Sequence, residues 1–286
     1  MTDAAKPVVA ILAPGAMGAG VAARLHAHGV TVLTSLAGRS PASVERAKAA
    51  GMQDASWADI AAADVILSIV PPGEALAIAR HLAPLLSAAN SKPVYVDCNA
   101  VSPDTVKAIA TVIDATGCVF IDAGIIGGPP RAGYNGPVFY YSGANSGLID
   151  RLNDHGLIFR SLDGPVGAAS ALKMSYGGIT KGLTAVGSAM LLSAQRAGVA
   201  DALKAELADS QPGLLAYFSR SVPDMFPKAY RWVAEMEEIA HFHGDGPSRE
   251  MYEAIAALYV RLAADYEGEQ VEIGALSGFF SLPPRA

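Results

Sequence analysis

The sequence predicts an α/β fold with a mainly parallel sheet, followed by an all-α carboxyl-terminal part. Two observations lead to this prediction. Strand-like apolar segments alternate with helical segments through the first 163 residues, which is typical of right-handed β-α-β units. From Gly164 onward helical periodicity runs almost to the end. We therefore expect two domains, residues 1–163 and residues 164–286.

Composition narrows the class of protein. The 286 residues carry a formal net charge of -6, which argues against a nucleic-acid partner and favours small molecules. No stretch reaches the ~18 uninterrupted apolar residues of a membrane helix, and residues 1–7 lack the apolar region of a secretory signal. Cys98 and Cys118 are too few for a disulfide framework and match no metal spacing, so we expect a cytoplasmic protein.

A dinucleotide-binding turn is predicted between Val8 and Gly29, where an apolar run, a turn and a helical segment follow one another. The G-x-G-x-x-G spacing falls on Ala13, Gly15 and Gly18. In this motif the second glycine lets the backbone approach the pyrophosphate, and the third lets the helix pack on the strand. An ordinary strand-to-helix turn is the alternative. The motif favours a Rossmann-type domain in which the cofactor contacts Pro14, Gly15, Ala16, Met17 and Gly18.

The loop after the second predicted strand, Val30 to Ser35, bears on the choice of cofactor. An acidic residue there would accept the ribose 2'-hydroxyl of NAD, but the loop carries Arg39 and Ser40 instead. A cation and a hydroxyl suit a 2'-phosphate, so NADP is favoured over NAD. In the alternative interpretation, Ser40 only caps the next helix and Arg39 is solvated.

Two further strands, within residues 64–72 and 93–103, are predicted to end near the cofactor. Ligands of parallel sheets lie at the carboxyl ends of the strands, which brings Val70, Pro71 and Asn99 beside the nicotinamide half. Asn99 could equally cap the following turn.

A glycine-rich loop lies between two predicted strands in residues 118–143 and suits close approach to a ligand, although a plain hairpin is possible. A short helix over residues 144–156 and a last strand complete the first domain. A long helix over residues 166–197 follows. Because its glycines weaken a helix, another surface must come close to its backbone, and the helix is a candidate to form a homodimer. Those glycines are Gly177, Gly178, Gly182 and Gly187.

Lys173 is the candidate catalytic residue. An ammonium group on the helix between the domains can donate a proton to a carbonyl oxygen and take it back in the reverse direction. Tyr176 and Gly177 follow on the same helix face and are candidate substrate residues. In the alternative interpretation Lys173 is simply a solvated helix residue.

Three motifs in order resemble those of the β-hydroxyacid dehydrogenase superfamily, which includes 3-hydroxyisobutyrate and 6-phosphogluconate dehydrogenases and, more distantly, imine reductases. The resemblance covers nearly the whole chain. It implies that Lys173 is the catalytic lysine. The matching positions are Ala13, Gly15, Met17 and Gly18 in the cofactor motif, Asp122, Ile125, Gly127 and Gly128 in the substrate motif, and Pro165, Gly167 and Lys173 in the catalytic motif.

The departures from the family pattern bear on the substrate. Gly124, Ile126 and Gly177 replace the family's proline, serine and asparagine. That serine and asparagine hold the substrate's carboxylate and hydroxyl in the family, so the resemblance implies a wider, more apolar pocket. The loop Ile125, Ile126, Gly127, Gly128 is expected to shape it.

The sequence thus predicts an NADP-dependent oxidoreductase. It would transfer a hydride between nicotinamide and the carbonyl or alcohol carbon of a small, relatively apolar hydroxyacid or ketone. Reduction of imines is one alternative, and a non-catalytic protein that senses NADPH is another.

His241, His243 and Asp245 could be considered as metal ligands. The His-x-His spacing at a helix end does not bring both rings to one side, so no metal site is predicted. A surface or capping role is expected instead, or a contribution to the substrate pocket.

Overall fold

The computed structural model describes residues 6–144 and 147–281. Residues 1–5 of the segment considered for a signal, and residues 145 and 146 of the predicted helix over 144–156, lie outside the described residues. Two compact units meet within one long helix: the first extends to Met174 and the second begins at Ser175. Among the residues described, no helix is both long and apolar enough to cross a membrane.

The strands of the described residues form one eight-stranded sheet in the order β3-β2-β1-β4-β5-β6-β7-β8. Strands β1 to β6 are parallel, β7 is antiparallel to β6, and β8 is parallel to β7. The order reverses between β1 and β4, which is where such sheets bind ligands. The strands are β1 (Val8–Ile11), β2 (Thr31–Thr34), β3 (Gln53–Asp54), β4 (Val65–Ser68), β5 (Val94–Asp97), β6 (Val119–Ile126), β7 (Val138–Gly143) and β8 (Phe159–Ser161).

Helices cover both faces of this sheet. One face packs on α1, α2 and α6, and the other packs on α3, α4 and α5, so that each face has its own buried apolar cluster. Single 3-10 turns span Pro72–Glu74 and Leu152–His155. The helices of the first unit are α1 (Ala16–Ala27), α2 (Pro41–Ala49), α3 (Trp57–Ala61), α4 (Ala75–Ala88), α5 (Pro103–Asp114) and α6 (Gly147–Arg151). The predicted fold class is confirmed.

The second unit is helical throughout the described residues. Its first helix, α7, begins in the first unit and passes into the second. The helices are α7 (Ala168–Arg196), α8 (Ala200–Ser210), α9 (Pro212–Met225), α10 (Ala229–Phe242), α11 (Pro247–Glu267) and α12 (Val271–Ser281), with a 3-10 turn at Phe226–Lys228.

The glycines of α7 are packed against large side chains, as the sequence predicts. A Cβ on Gly178 would lie 2.9 Å from the hydroxyl oxygen of Tyr252, and a Cβ on Gly182 would lie 3.4 Å from the same atom. A Cβ on Gly187 would overlap the ring of Phe218. These aromatic contacts compensate for the low helix propensity of glycine.

The sequence prediction missed β3 and α3. The signal for α3 was present, because Ser56 and Asp59 form a capping box in which each side chain accepts from the other's backbone N–H. Strand β3 has only two residues, both with exposed side chains, so no apolar periodicity predicts it.

Candidate functional site

The turn between β1 and α1 is open at its second glycine. Gly15 is the N-cap of α1, it is exposed, and no side chain caps the helix end. A Cβ on Gly15 would have nothing within 4 Å. The uncapped amide groups and the positive end of the helix dipole therefore remain available to an anion.

Close packing of strand and helix makes the third glycine necessary. A Cβ on Gly18 would overlap the Ala13 carbonyl oxygen and lie 3.2 Å from Ile11 Cγ2. Of the other predicted cofactor residues in the turn, Pro14 is buried, Ala16 is exposed and Met17 packs partly against the core. Both glycines thus have the geometry that a dinucleotide turn requires.

The residues after β2 border the same turn. Arg39 donates from Nη2 to the Leu12 carbonyl at 3.1 Å. Ser40 is the N-cap of α2, and its hydroxyl accepts from the Ser43 N–H at 3.3 Å. The capping role of Ser40 is therefore present, and the half-buried Arg39 side chain contacts the turn before α1.

Asn99 supports the loop after β4 from within the protein. Its Oδ1 accepts from the Val70 N–H at 2.7 Å, and its Nδ2 donates to Ser68 Oγ at 3.0 Å and Asp97 Oδ2 at 2.9 Å. The residue is only 2% exposed. These bonds show that the Asn99 side chain supports the loop after β4, and its predicted place beside the nicotinamide stays a prediction. Val70 is half-buried and Pro71 is exposed.

Two buried carboxylates lie on neighbouring strands, where Asp97 at the end of β5 pairs with Asp122 in the middle of β6. Burial raises the pKa of Asp97 to about 7, against the hydrogen bonds from Asn99 that lower it; the Asp122 charge acts in the same direction as burial. Asp97 can therefore hold a proton near neutral pH.

Asp122 binds the amino end of α7. Its Oδ2 accepts from the N–H groups of Gly167 at 2.8 Å and Ser170 at 3.1 Å, and its Oδ1 accepts from Ser170 Oγ at 2.7 Å. Ser142 on β7 donates to Asp122 Oδ2 at 3.1 Å and accepts from the Ala169 N–H at 3.0 Å. Side chains of two strands thus satisfy the helix amides that would otherwise lack partners.

Lys173 follows one turn later, where α7 crosses β6. A Cβ on Gly124 would lie 3.0 Å from Lys173 Cβ and 2.8 Å from the Ala169 carbonyl oxygen. Glycine at position 124, where the family has proline, lets the helix backbone approach the strand. The Lys173 side chain is half-buried.

Alternation along β6 separates the two isoleucines predicted to shape the substrate site. Asp122, Gly124 and Ile126 share the face toward α7, whereas Ile125 points to the other face and lies in the core at 5% exposure. The Ile125 side chain therefore packs in the core, and the predicted part of Ile125 in the loop that shapes the substrate site stays a prediction. Ile126 is half-buried at the end of the strand.

The glycine-rich loop after β6 is fixed to α1. Arg24 donates to the carbonyl oxygens of Tyr134 at 2.6 Å, Gly136 at 2.8 Å and Asn135 at 3.2 Å. A Cβ on Gly20 would lie 2.9 Å from Pro130 Cδ. Gly127 and Gly128 are exposed at the start of this loop.

In the second unit, Gly177 packs against a helix. A Cβ on Gly177 would lie 3.0 Å from Glu235 Oε1 and 3.7 Å from Ile239 Cδ1, both on α10. Gly177 therefore lets α10 approach the backbone of α7, and its predicted role as a substrate residue stays a prediction. Tyr176 is 48% exposed.

His243 and Asp245, which follow α10, both have partners within the second unit. The ring of His243 stacks on Tyr252 with centroids 5.1 Å apart, and Asp245 pairs with Arg249 at 3.2 Å. His241 is exposed near the end of α10. Among residues 6–144 and 147–281 no group of three or more His, Cys, Asp or Glu could hold a metal ion. Cys98 and Cys118 are free and buried.

Sequence reasoning missed the anchoring roles of Asp122 and Ser142 and the contacts of Arg24 and Arg46. Arg46 on α2 donates from Nη1 to the Pro14 carbonyl at 3.0 Å. Asp122 did carry a signal, since it opens the matched substrate motif. The other three meet partners far away in the sequence, so no local pattern identifies them.

Two family models match the chain. The NAD binding domain of 6-phosphogluconate dehydrogenase matches residues 9–155, and a domain of unknown function, DUF1932, matches residues 194–262. An uncharacterized 28.5 kDa protein in the 7S RNA 5' region of Methanothermus fervidus is 30% identical over 216 residues, 74% of this chain and 82% of that protein. The chain belongs to the β-hydroxyacid dehydrogenase superfamily.

Solved structures share the fold. A conserved protein of unknown function, described as similar to 3-hydroxyacid dehydrogenases, is 29% identical with a TM-score of 0.67, covering 91% of this chain and 97% of its own. Mycobacterium tuberculosis 3-hydroxyisobutyrate dehydrogenase with L-serine is 19% identical with a TM-score of 0.67, covering 92% and 95%. An imine reductase from Myxococcus stipitatus in complex with NADP+ is 17% identical with a TM-score of 0.55, covering 96% and 100%.

The first of these structures is a relative, whereas the last two support only the fold. Family membership makes the protein an NAD(P)-binding oxidoreductase of the dehydrogenase and reductase class. The open glycine at position 15 and the uncapped end of α1 fit the dinucleotide of this class.

Proposed function

We propose that the protein is an NADP-dependent oxidoreductase acting on the carbonyl or alcohol carbon of a small, relatively apolar hydroxyacid or ketone. The observation that carries this proposal is the crossing of β6 and α7. There, Lys173 stands beside Gly124, one turn after a helix end that buried Asp122 fixes.

Lys173 is the proposed general acid and base. When bound, the nicotinamide cofactor supplies or accepts the hydride. Lys173 Nζ donates a proton to the substrate carbonyl oxygen during reduction and takes the hydroxyl proton during oxidation. The Asp122 anchor holds the first turn of the helix, so that the lysine side chain starts from a fixed backbone position.

The proposed substrate is relatively apolar because the residues at the end of β6 offer no polar side chain. Ile126 stands on the strand face that carries Gly124, and it replaces a serine that binds substrate in the family. Gly127 and Gly128 add no side chains. A substrate that depends on several hydrogen bonds would leave its polar groups unpaired against Ile126.

Cofactor preference for NADP rests on Arg39 and Ser40. Arg39 donates to the Leu12 carbonyl beside the turn before α1. In dinucleotide-binding folds the adenosine ribose lies next to this turn, at the end of the second strand. A guanidinium suits a phosphate, whereas the ribose 2'-hydroxyl of NAD calls for a carboxylate.

A substrate panel tests the reaction class. Ketones, β-hydroxyacids, β-ketoacids and cyclic imines are incubated with NADPH or NADP+, and cofactor absorbance is followed. Turnover of carbonyls or alcohols is expected. Turnover of imines alone would make the protein an imine reductase, and tight NADPH binding without any turnover would make it a sensor.

With the best substrate of that panel, Lys173→Ala should lower kcat about 100-fold or more, because the proton donor is lost. Its NADPH dissociation constant should change less than about twofold. Lys107→Ala, which removes a solvent-exposed lysine of α5, is the control. Unchanged kcat in Lys173→Ala would remove the lysine from the mechanism.

A homodimer through α7 is also proposed. Exposed apolar side chains recur every three or four residues along the helix and form one stripe: Tyr176, Ile179, Leu183, Val186 and Met190, exposed by 38% to 69%. A second copy of this helix would bury that stripe. Sedimentation velocity measures the oligomeric state directly.

A further inference from the structure

Two arginines that follow β2 reach back to one turn. Arg39 donates to the Leu12 carbonyl and Arg46 donates to the Pro14 carbonyl, at 3.1 Å and 3.0 Å. These carbonyl oxygens are two residues apart in the turn that leads into α1. Both guanidinium groups therefore contact the turn between β1 and α1 from the side of β2.

We propose that Arg46 is a second residue that determines cofactor specificity and that it binds the 2'-phosphate of NADP together with Arg39. This inference rests on the proposed function. It adds a residue of α2 to the loop residues Arg39 and Ser40 that are proposed to bind the 2'-phosphate.

The charges around Arg39 and Arg46 support an anionic ligand. Neither guanidinium forms an ion pair with a carboxylate of the described residues. By contrast, Lys48 on the same helix pairs with Glu45 at 2.9 Å. Two cations held at one turn repel each other, and a dianion bound by both would remove that cost.

The geometry of the donors selects a phosphate monoester. A guanidinium has five N–H donors in a planar fork, and a single carbonyl contact leaves donors for further acceptors. Phosphate oxygens accept such forks well, and two arginines match the charge of nearly -2 that a 2'-phosphate carries. The ribose 2'-hydroxyl of NAD is uncharged, so Arg46 would form no ion pair with it.

Binding measurements test this role without an activity assay. NADPH, NADH, adenosine 2',5'-bisphosphate and AMP are titrated into the wild type, Arg39→Ala, Arg46→Ala and the double variant by calorimetry. Lys48→Ala is the matched control, since it removes a cation of the same helix that already has a carboxylate partner.

Arg46→Ala should weaken NADPH and adenosine 2',5'-bisphosphate about tenfold, with less than about twofold change for NADH and AMP. Arg39→Ala should do the same, and the double variant should bind NADPH and NADH about equally. Lys48→Ala should leave all four affinities unchanged.

Equal weakening of NADPH and NADH by Arg46→Ala would overturn the inference, because the arginine would then contact the adenine or the pyrophosphate. No weakening at all would also overturn it. If Arg39→Ala alone discriminates against NADPH, the proposed NADP preference stands and only the role of Arg46 fails. A wild type that prefers NADH would overturn both.

Discussion

Helices α1 and α7 begin in opposite ways. The amino end of α1, at Gly15, has no side-chain cap and is exposed to solvent. The amino end of α7 is buried, and the Asp122 carboxylate binds its N–H groups at Gly167 and Ser170. Both ends attract negative charge by the same dipole.

The two helix ends suit different roles: the end of α1 can bind an anion, whereas the end of α7 positions a side chain. An open helix end leaves amides for a phosphate and forgoes the stability that a cap would add. A closed end uses an internal carboxylate, so the helix start is fixed and Lys173 has a defined place. A substitution at each helix end can therefore be tested separately. We expect one to lower the unfolding free energy and the other to lower the affinity for NADPH.

The largest expected effect comes from removing the carboxylate that binds the amino end of α7. Asp122→Ala removes the acceptor of four hydrogen bonds and leaves buried N–H groups without partners, so it should cost about 3–5 kcal/mol of unfolding free energy. Asp122→Asn keeps an acceptor oxygen and should lose less. Urea unfolding measures both.

The readout for this test can be confined to the first unit. The chain has two tryptophans, and in a Trp232→Phe background Trp57 on α3 reports the first unit alone. A loss below about 1 kcal/mol in Asp122→Ala would mean that water replaces the carboxylate at the helix end.

The next effect comes from closing the open end. Gly15→Asp places a carboxylate at the N-cap of α1, where it takes the amides that would bind phosphate and repels the cofactor. NADPH affinity should fall about 100-fold, or about 2.7 kcal/mol, while thermal stability holds or rises.

Gly213→Asp is the matched control for the open end. It introduces the same charge near the start of α9 in the second unit, also with nothing within 4 Å of the new Cβ. NADPH affinity should not change there. Unchanged affinity in Gly15→Asp would mean that the phosphates bind elsewhere.

The smallest expected effect concerns the neighbouring carboxylate. Unlike Asp122, Asp97 binds no helix end, and its pKa is raised to about 7 by burial. The unfolded chain loses this proton near pH 4. Stability from this group is therefore complete below about pH 4 and falls as pH rises toward about 7.

Asp97→Asn should remove this dependence. The unfolding free energy of the wild type minus that of the variant should decrease by about 2.5 kcal/mol between pH 5 and pH 8. The same Trp57 fluorescence measures it. A difference that stays constant over this range would mean that Asp97 is ionised at pH 5 in the folded protein.

Local patterns predicted much of the first unit. The glycine spacing located the turn before α1, and Ser40 was recognised as a possible cap of α2. These features depend on residues that are adjacent in sequence. Contacts between distant elements were beyond such reasoning, as the contacts of Asn99 with Val70 and of Gly177 with Glu235 demonstrate.

The sequence by itself determined the alternation of strands and helices apart from β3 and α3, the glycine at position 15 and the lysine on a long helix, because backbone conformation and apolar periodicity are local properties. Only the tertiary structure decided that Asp122 holds the start of α7, that Gly177 packs on α10 and that Arg46 meets the turn before α1. A side chain's partners depend on which surfaces packing brings together, and the hydrophobic effect that drives packing is non-directional.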